Sequence, residues 1–309
     1  TLYKKIVGLL GREVRNGIKS LVSILVIIVI HSILKSISEN LKNDGIAKLV
    51  YYVQYILIIT IIMTNFSEII KMVQNTCTNL IAFMNTLVPL LITLMMYTGS
   101  ITTSSVLEPI ILFMINFIGN MIQSFLIPAV LIIATLSIVS KIGDKLQIDR
   151  IAKTFNSGIV WLLGIILTIF VGVISLEGTL SGSIDGITAK TAKAIVSSSI
   201  PIVGKILGDA VDTFFGCCLI LKNAIGVIGV IIIIGICIMP ILKIAILLIC
   251  YKMLAAVSEP IADAKIIKLL EQIGDIFKVL LAILCSISVM VIIGTTLVIK
   301  ISNSGMMYR

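Results

Sequence analysis

Two aspartates three residues apart, Asp209 and Asp212, stand beside Lys205 and Lys222 in and around an otherwise apolar stretch, GDAVDTFFGCCLILKNAIGVIG (residues 208–229). Carboxylates that share a proton are the working parts of an intramembrane aspartyl protease, and Gly208-Asp209 fits half of such a site. That chemistry needs its carboxylates on different helices. Here both fall on one, and no second intramembrane aspartate faces them. Metal hydrolysis lacks ligands, because His31 is the single histidine and no H-E-x-x-H occurs. A nucleotide motor lacks its phosphate loop. The six cysteines (Cys77, Cys217, Cys218, Cys237, Cys250 and Cys285) form no C-x-x-C and read as small, reduced, buried residues. No catalytic residue, metal or cofactor is expected, and the chain reads as a non-enzyme.

What remains is a surface. On a helix, Lys205, Asp209, Asp212 and Gly216 recur at four, three and four residues and form one stripe. Ile206, Leu207, Ala210, Val211 and Phe214 form the opposite face. Gly204-x-x-x-Gly208 offers a close helix contact. Charge facing lipid is costly, so the stripe is expected to face water, a partner or an internal cavity. Lys205, Gly208, Asp209, Asp212, Gly216, Lys222 and Asn223 are therefore candidate pore-lining or partner-contact residues. Lys222-Asn223 could also satisfy backbone near a helix break, pair with Asp212, or sit as an ordinary interfacial lysine.

The elements around this stripe are membrane helices. Of 309 residues, 59% are hydrophobic and only 13% charged, with a mean hydropathy of +1.19. A soluble domain carries about twice that share of charge. Apolar runs of spanning length recur at about 20–36, 47–65, 79–98, 106–123, 125–141, 158–175 and 276–299, with a long run at 224–257 interrupted at Pro240. The fold class is an all-α polytopic membrane protein, with about 7–8 transmembrane or re-entrant helices. Residues 1–19 and 143–156 are basic and amphipathic, suited to the membrane surface. Residues 176–186 read as a Gly/Ser-rich loop and 262–275 as a surface amphipathic helix. The net charge of +9 sits at helix ends, which fits anionic lipid and not nucleic acid. Lys/Arg counts place the 141–157 and 252–275 connections in the cytoplasm. Thr at residue 1 is expected to mark a processed or trimmed chain whose signal peptide is missing.

A shift of 151 residues superimposes Lys71 on Lys222, Pro89 on Pro240, and Glu108-Pro109-Ile110 on Glu259-Pro260-Ile261. Polar and proline matches at constant spacing are rare in so apolar a chain. They predict two repeats, 1–157 and 158–309, the second with a polar amphipathic region at 188–223. Parallel and inverted forms both stay open. Pro89, Glu108, Pro109, Pro240, Glu259 and Pro260 are then candidate repeat-related helix breaks, although Glu before Pro is also an ordinary helix-start signal. In this register Asp209 and Asp212 fall on Ile58 and Ile61.

The stretches SSSIPIVGKILGDAVDTFFGCCLILKNAIGVIGV and MPILKIAILLICYKMLAAVSEPIAD, within residues 186–275, resemble the stage III sporulation protein AE family of endospore-forming bacteria. Pro201, Gly204, Gly208, Asp209, Asp212, Gly216, Lys222, Asn223, Pro240, Glu259 and Pro260 match its signature. In that family a cleaved signal peptide and a soluble stretch precede the spans. The resemblance implies a role without a reaction: a polytopic subunit of the transenvelope complex joining mother cell and forespore, in the mother-cell-derived (outer forespore) membrane. It implies the other stage III A proteins and the stage II sporulation protein Q as partners. Membrane lipid is a further partner, and a homo-oligomer stays open. The competing function is a secondary transporter with duplicated halves and ionisable groups within its spans.

Overall fold

The computed structural model describes residues 21–30, 32–34, 44–98, 100–141, 149–199 and 203–304, with single residues 11, 15 and 19. Apart from the earliest of these, side chains are described over 49–98, 100–141, 151–176 and 213–300. The basic amphipathic stretches at 1–10 and 143–148 lie outside the described residues. The main elements are α1 (Asp44–Tyr97), α2 (Ile101–Met121), a π-helical turn (Ile122–Leu126), α3 (Ile127–Val139), α4 (Asp149–Ser199), α5 (Val203–Ser258) and α6 (Ala264–Ser304). The chain is an all-α polytopic membrane protein. Five helices, among the described residues, are long and apolar enough to cross a membrane: Leu49–Tyr97, Ile101–Val139, Ile151–Leu176, Thr213–Ser258 and Ala264–Lys300.

Runs that read as separate in the sequence are joined. The stretches 47–65 and 79–98 both belong to the 54-residue α1. The residues between them explain why. Ser67, Glu68, Lys71 and Asn75 are exposed, while Phe66, Ile69, Ile70, Val73 and Cys77 are buried. The polar segment is thus one face of an amphipathic helix and not a loop. The stretches 106–123 and 125–141 are likewise continuous, through the π turn that takes one wider turn of backbone. Residues 176–186 lie inside α4, and 262–275 lead into α6 with Leu269, Leu270 and Ile273 buried and Lys268 and Glu271 exposed. Glycine lowers helix propensity, yet the helix runs on through Gly178, Gly182 and Gly186.

The proposed helix breaks are corrected in the same way. Pro89 and Pro240 lie inside α1 and α5, and Glu108-Pro109 lies inside α2. Each proline removes one N–H donor, yet the ladder continues around it; beside Pro89, Thr93 Oγ1 donates to the proline's own carbonyl at 2.8 Å. Only Glu259-Pro260 sits at a break, in the turn between α5 and α6. There the Ile261 and Ala262 amides donate to the Ser258 carbonyl at 3.0 and 2.7 Å. Asp263 holds the N-cap position of α6, where an acidic side chain suits the free amides.

The chain forms two compact units, each drawing on separate segments. The first contains residues 1–75, 122–162 and 238–285. In it, the Tyr51 hydroxyl donates to the Lys141 carbonyl at 3.3 Å and the Tyr55 hydroxyl to the Ile138 carbonyl. These are among the last carbonyls of α3 and its following turn, where a helix runs out of its own donors. Phe66, Phe277 and Tyr251 pack ring against ring, and Asn65 Nδ2 donates to the Tyr251 hydroxyl at 3.1 Å. Its helices are also joined by the ion pairs Lys243–Glu68 at 2.6 Å and Lys252–Asp275 at 2.7 Å.

The second unit contains residues 76–121, 163–237 and 286–309. Its helices approach closely at glycines. A Cβ on Gly119 would meet Ile81 Cδ1 at 2.1 Å, and one on Gly229 would meet Leu87 Cδ2 at 2.7 Å. Among its residues with described side chains, only Glu108, Lys222 and Lys300 carry charge.

Candidate functional site

The two strongest sequence candidates on α5 part company in the structure. Lys205, Gly208, Asp209 and Asp212 lie on the first turns of α5, and their side chains fall outside the described residues. Gly216 follows on the same stripe, with nothing within 4 Å of a Cβ built there. Lys222 leaves the stripe. It sits ten residues beyond Asp212, roughly a quarter-turn away around the helix axis. It is fully buried, at 0% exposure, which corrects its reading as a pore-lining or partner-contact residue.

The surroundings of Lys222 show what holds it. Its Nζ donates to the Ile299 carbonyl of α6 at 3.1 Å. One turn on, Gly226 faces the same residue: a Cβ there would meet Ile299 Cδ1 at 2.3 Å and Cγ1 at 2.6 Å. Lys222, Gly226 and Gly229 recur at four and three residues and therefore share one face. The absent side chain at Gly226 lets α6 come near enough for the ammonium to reach a backbone oxygen, and that at Gly229 admits Leu87 of α1. Asn223, half-buried beside this face, keeps a buried Oδ1 with no hydrogen-bond partner among the described residues. Lys222 is thus a buried, hydrogen-bonded packing residue of the second unit.

The outward faces of the same unit differ in chemistry. On α5, the exposed residues from Phe214 onward are Cys217, Ile220, Leu221, Ala224, Val227, Ile228, Ile231, Ile232, Ile234 and Gly235. That face suits lipid. On α1 between residues 78 and 93, the exposed residues are Thr78, Asn79, Ala82, Asn85, Thr86, Leu90 and Thr93. Only Leu90 among them is large and apolar. α2 adds Asn116 and Asn120, also exposed. Asn85 and Asn116 form a reciprocal amide pair, with Nδ2 to Oδ1 distances of 3.1 and 2.9 Å, and Asn116 Nδ2 also donates to the Leu112 carbonyl at 2.7 Å. The sequence pattern points to a polar surface at 205–223 and reads as a plain span over this part of the first half. The signal was present in the recurrence of Thr78/Asn79, Ala82, Asn85/Thr86 and Thr93 at helical spacing. It was diluted by the apolar residues of the buried face.

The comparisons with known proteins agree over the whole length. Residues 1–302 match the stage III sporulation protein AE family. The stage III sporulation protein AE of Bacillus subtilis (strain 168) is 30% identical over 306 residues, covering 99% of this chain and 77% of the relative. No solved structure matches. With a family match that takes in every apolar helix, the chain belongs to the stage III sporulation protein AE family.

Proposed function

We propose that this protein is a non-enzymatic integral membrane subunit of the sporulation transenvelope channel or secretion complex that links mother cell and forespore. It forms or anchors the conduit in the mother-cell-derived membrane, together with other stage III A proteins and the stage II sporulation protein Q. The observation that carries the reading is the family match over residues 1–302, which takes in all five apolar helices. The second unit supports it against a secondary transporter, which concentrates ionisable groups within its spans: its described spans hold only Glu108, Lys222 and Lys300, while Glu68, Lys71, Lys243 and Lys252 all fall in the first unit.

The test is affinity purification of the chain from sporulating cells, with partner identification and stoichiometry. Stage III A proteins in fixed ratio are the expected result. Recovery of the chain alone, from membranes in which those proteins are present and intact, would refute the reading. Asp209→Asn with Asp212→Asn asks whether the α5 stripe contributes. Normal membrane abundance with reduced sporulation is expected, and normal sporulation would reduce the stripe to a solvated face.

A further inference from the structure

The second unit places four carboxamides, Asn79, Asn85, Asn116 and Asn120, on the outside of a helix pair whose described residues within that unit, 76–121, carry a single charge, Glu108. We infer that this face of α1 and α2 is the wall of a water-filled pathway through the membrane, neutral and suited to uncharged polar or hydrated solutes. The inference rests on the conduit reading above and names the surface that would line it.

Three surroundings are available to an exposed helix face in a membrane: lipid, another protein, or water. Lipid is excluded by the carboxamides. Each has two N–H donors and an acceptor oxygen, and hydrocarbon satisfies none of them. The Asn85–Asn116 pair meets part of its own demand. Asn79 has no hydrogen-bond partner among the described residues, and it is exposed. The contrast with α5 is internal to the unit: there the corresponding outward face is almost wholly Ile, Val and Leu. A packed protein partner is disfavoured by shape. Membrane helix contacts are built on close van der Waals packing, and between residues 78 and 93 α1 offers a large apolar side chain only at Leu90, while the exposed Phe113 and Phe117 of α2 stack on one another beside Asn116. Water meets the remaining donors and acceptors at no cost in fit. Thr86 and Thr93 donate to the carbonyls of Ala82 and Pro89 at 3.2 and 2.8 Å, so the hydroxyls are internally satisfied and the amides set the chemistry of the wall.

The experiment is thiol accessibility in membranes of sporulating cells carrying a cysteine-free version of the full chain that still supports sporulation. Single cysteines replace Asn79, Thr86 and Asn116 on the proposed wall, and Ile228 and Ile231 on α5. A charged, membrane-impermeant methanethiosulfonate is expected to label the three wall positions at least tenfold faster than the α5 positions. The α5 positions, facing hydrocarbon where a thiol does not ionise, should resist both that reagent and a membrane-permeant maleimide. Protection of the wall positions from both reagents would place the face in lipid or in a protein interface. Labelling by the permeant reagent alone would show that the face is closed to the aqueous phase outside. Either result overturns the inference, and neither bears on the copurification test of the complex. Hydroxyl-radical footprinting of the unsubstituted protein gives a second reading. Leu90, exposed on the wall, should be oxidised well above Ile228 and Ile231, and equal oxidation would contradict the pathway.

Discussion

Gly226→Ala is the sharpest test of how α5 packs in the second unit. The added methyl would lie 2.3 Å from Ile299 Cδ1 and 2.6 Å from Cγ1, where carbon atoms normally rest about 3.5–4.0 Å apart. A χ2 rotation moves Cδ1 but leaves Cγ1 in place, so Ile299 must retreat by about an ångström. Its carbonyl is the acceptor for Lys222 Nζ, so the retreat also stretches a buried hydrogen bond. Overpacking of this kind costs about 1–3 kcal/mol. Alanine returns up to about 1 kcal/mol of helix propensity. Gly235 is the control on the same helix, since nothing lies within 4 Å of a Cβ there and only the propensity gain applies. The two variants should therefore differ by about 1–3 kcal/mol, with Gly226→Ala the less stable. The assay is thermal unfolding in detergent, read by a fluorogenic maleimide that reaches buried Cys77, Cys218 and Cys237 on opening. A Cys217→Ser background removes the exposed thiol from the signal. Ile299→Ala in the double variant should restore much of the loss. Equal stability of the Gly226 and Gly235 variants would refute the close approach of α5 and α6.

Three further outcomes are expected. In the folded, otherwise unsubstituted protein, a maleimide should modify Cys217 first, because Cys77, Cys218 and Cys237 are buried; mass spectrometry of partly labelled protein shows the order. The Lys252–Asp275 pair, with both side chains about two-fifths exposed, should show a double-mutant coupling of about 1 kcal/mol or less that weakens with salt; a salt-insensitive coupling of about 3 kcal/mol or more would place it out of water. If each apolar helix crosses once, topology reporters at Gly99 and Pro201 should lie on one side and those at Gly143 and Pro260 on the other. Lys141, Lys145, Arg150, Lys153, Lys252, Lys265 and Lys268 predict that the latter side is cytoplasmic, and same-side signals at Gly99 and Gly143 would show that α2–α3 re-enters.

Fold class was legible because it depends on composition and run length, which survive errors of register. Element boundaries were less so. Hydropathy averages both faces of a helix, so the polar face at Ser67–Asn75 lowered the average and looked like a gap, although Phe66, Ile69, Ile70 and Val73 continue the core beneath it. Proline misled for a related reason: its lost donor is a local cost, and the packing of a long apolar helix outweighs it at Pro89 and Pro240. The burial of Lys222 was not legible. It depends on which face Gly226 turns toward Ile299, and that is fixed by a residue 73 positions away in sequence.

The same distinction between residue register and element register bears on the proposed duplication. Helix lengths recur along the chain: α1 with 54 residues is followed by the 39-residue α2–α3 rod, and α5 with 56 residues by the 41-residue α6. The 151-residue offset would put Tyr97, the end of α1, on Leu248, whereas α5 continues to Ser258. Matched by position within each helix, Asp209 and Asp212 of α5 meet Val50 and Val53 of α1, not Ile58 and Ile61. The identity of Lys71 with Lys222 in the sequence offset is likewise uninformative, for one is exposed and the other fully buried. What the two long helices do share is length and order, and what separates them is the outward face. Between residues 78 and 93 α1 presents threonines and carboxamides, where α5 presents branched apolar side chains. Hydrocarbon satisfies no carboxamide, so α5 is suited to hold the protein in the bilayer and this stretch of α1 to face what the bilayer does not supply.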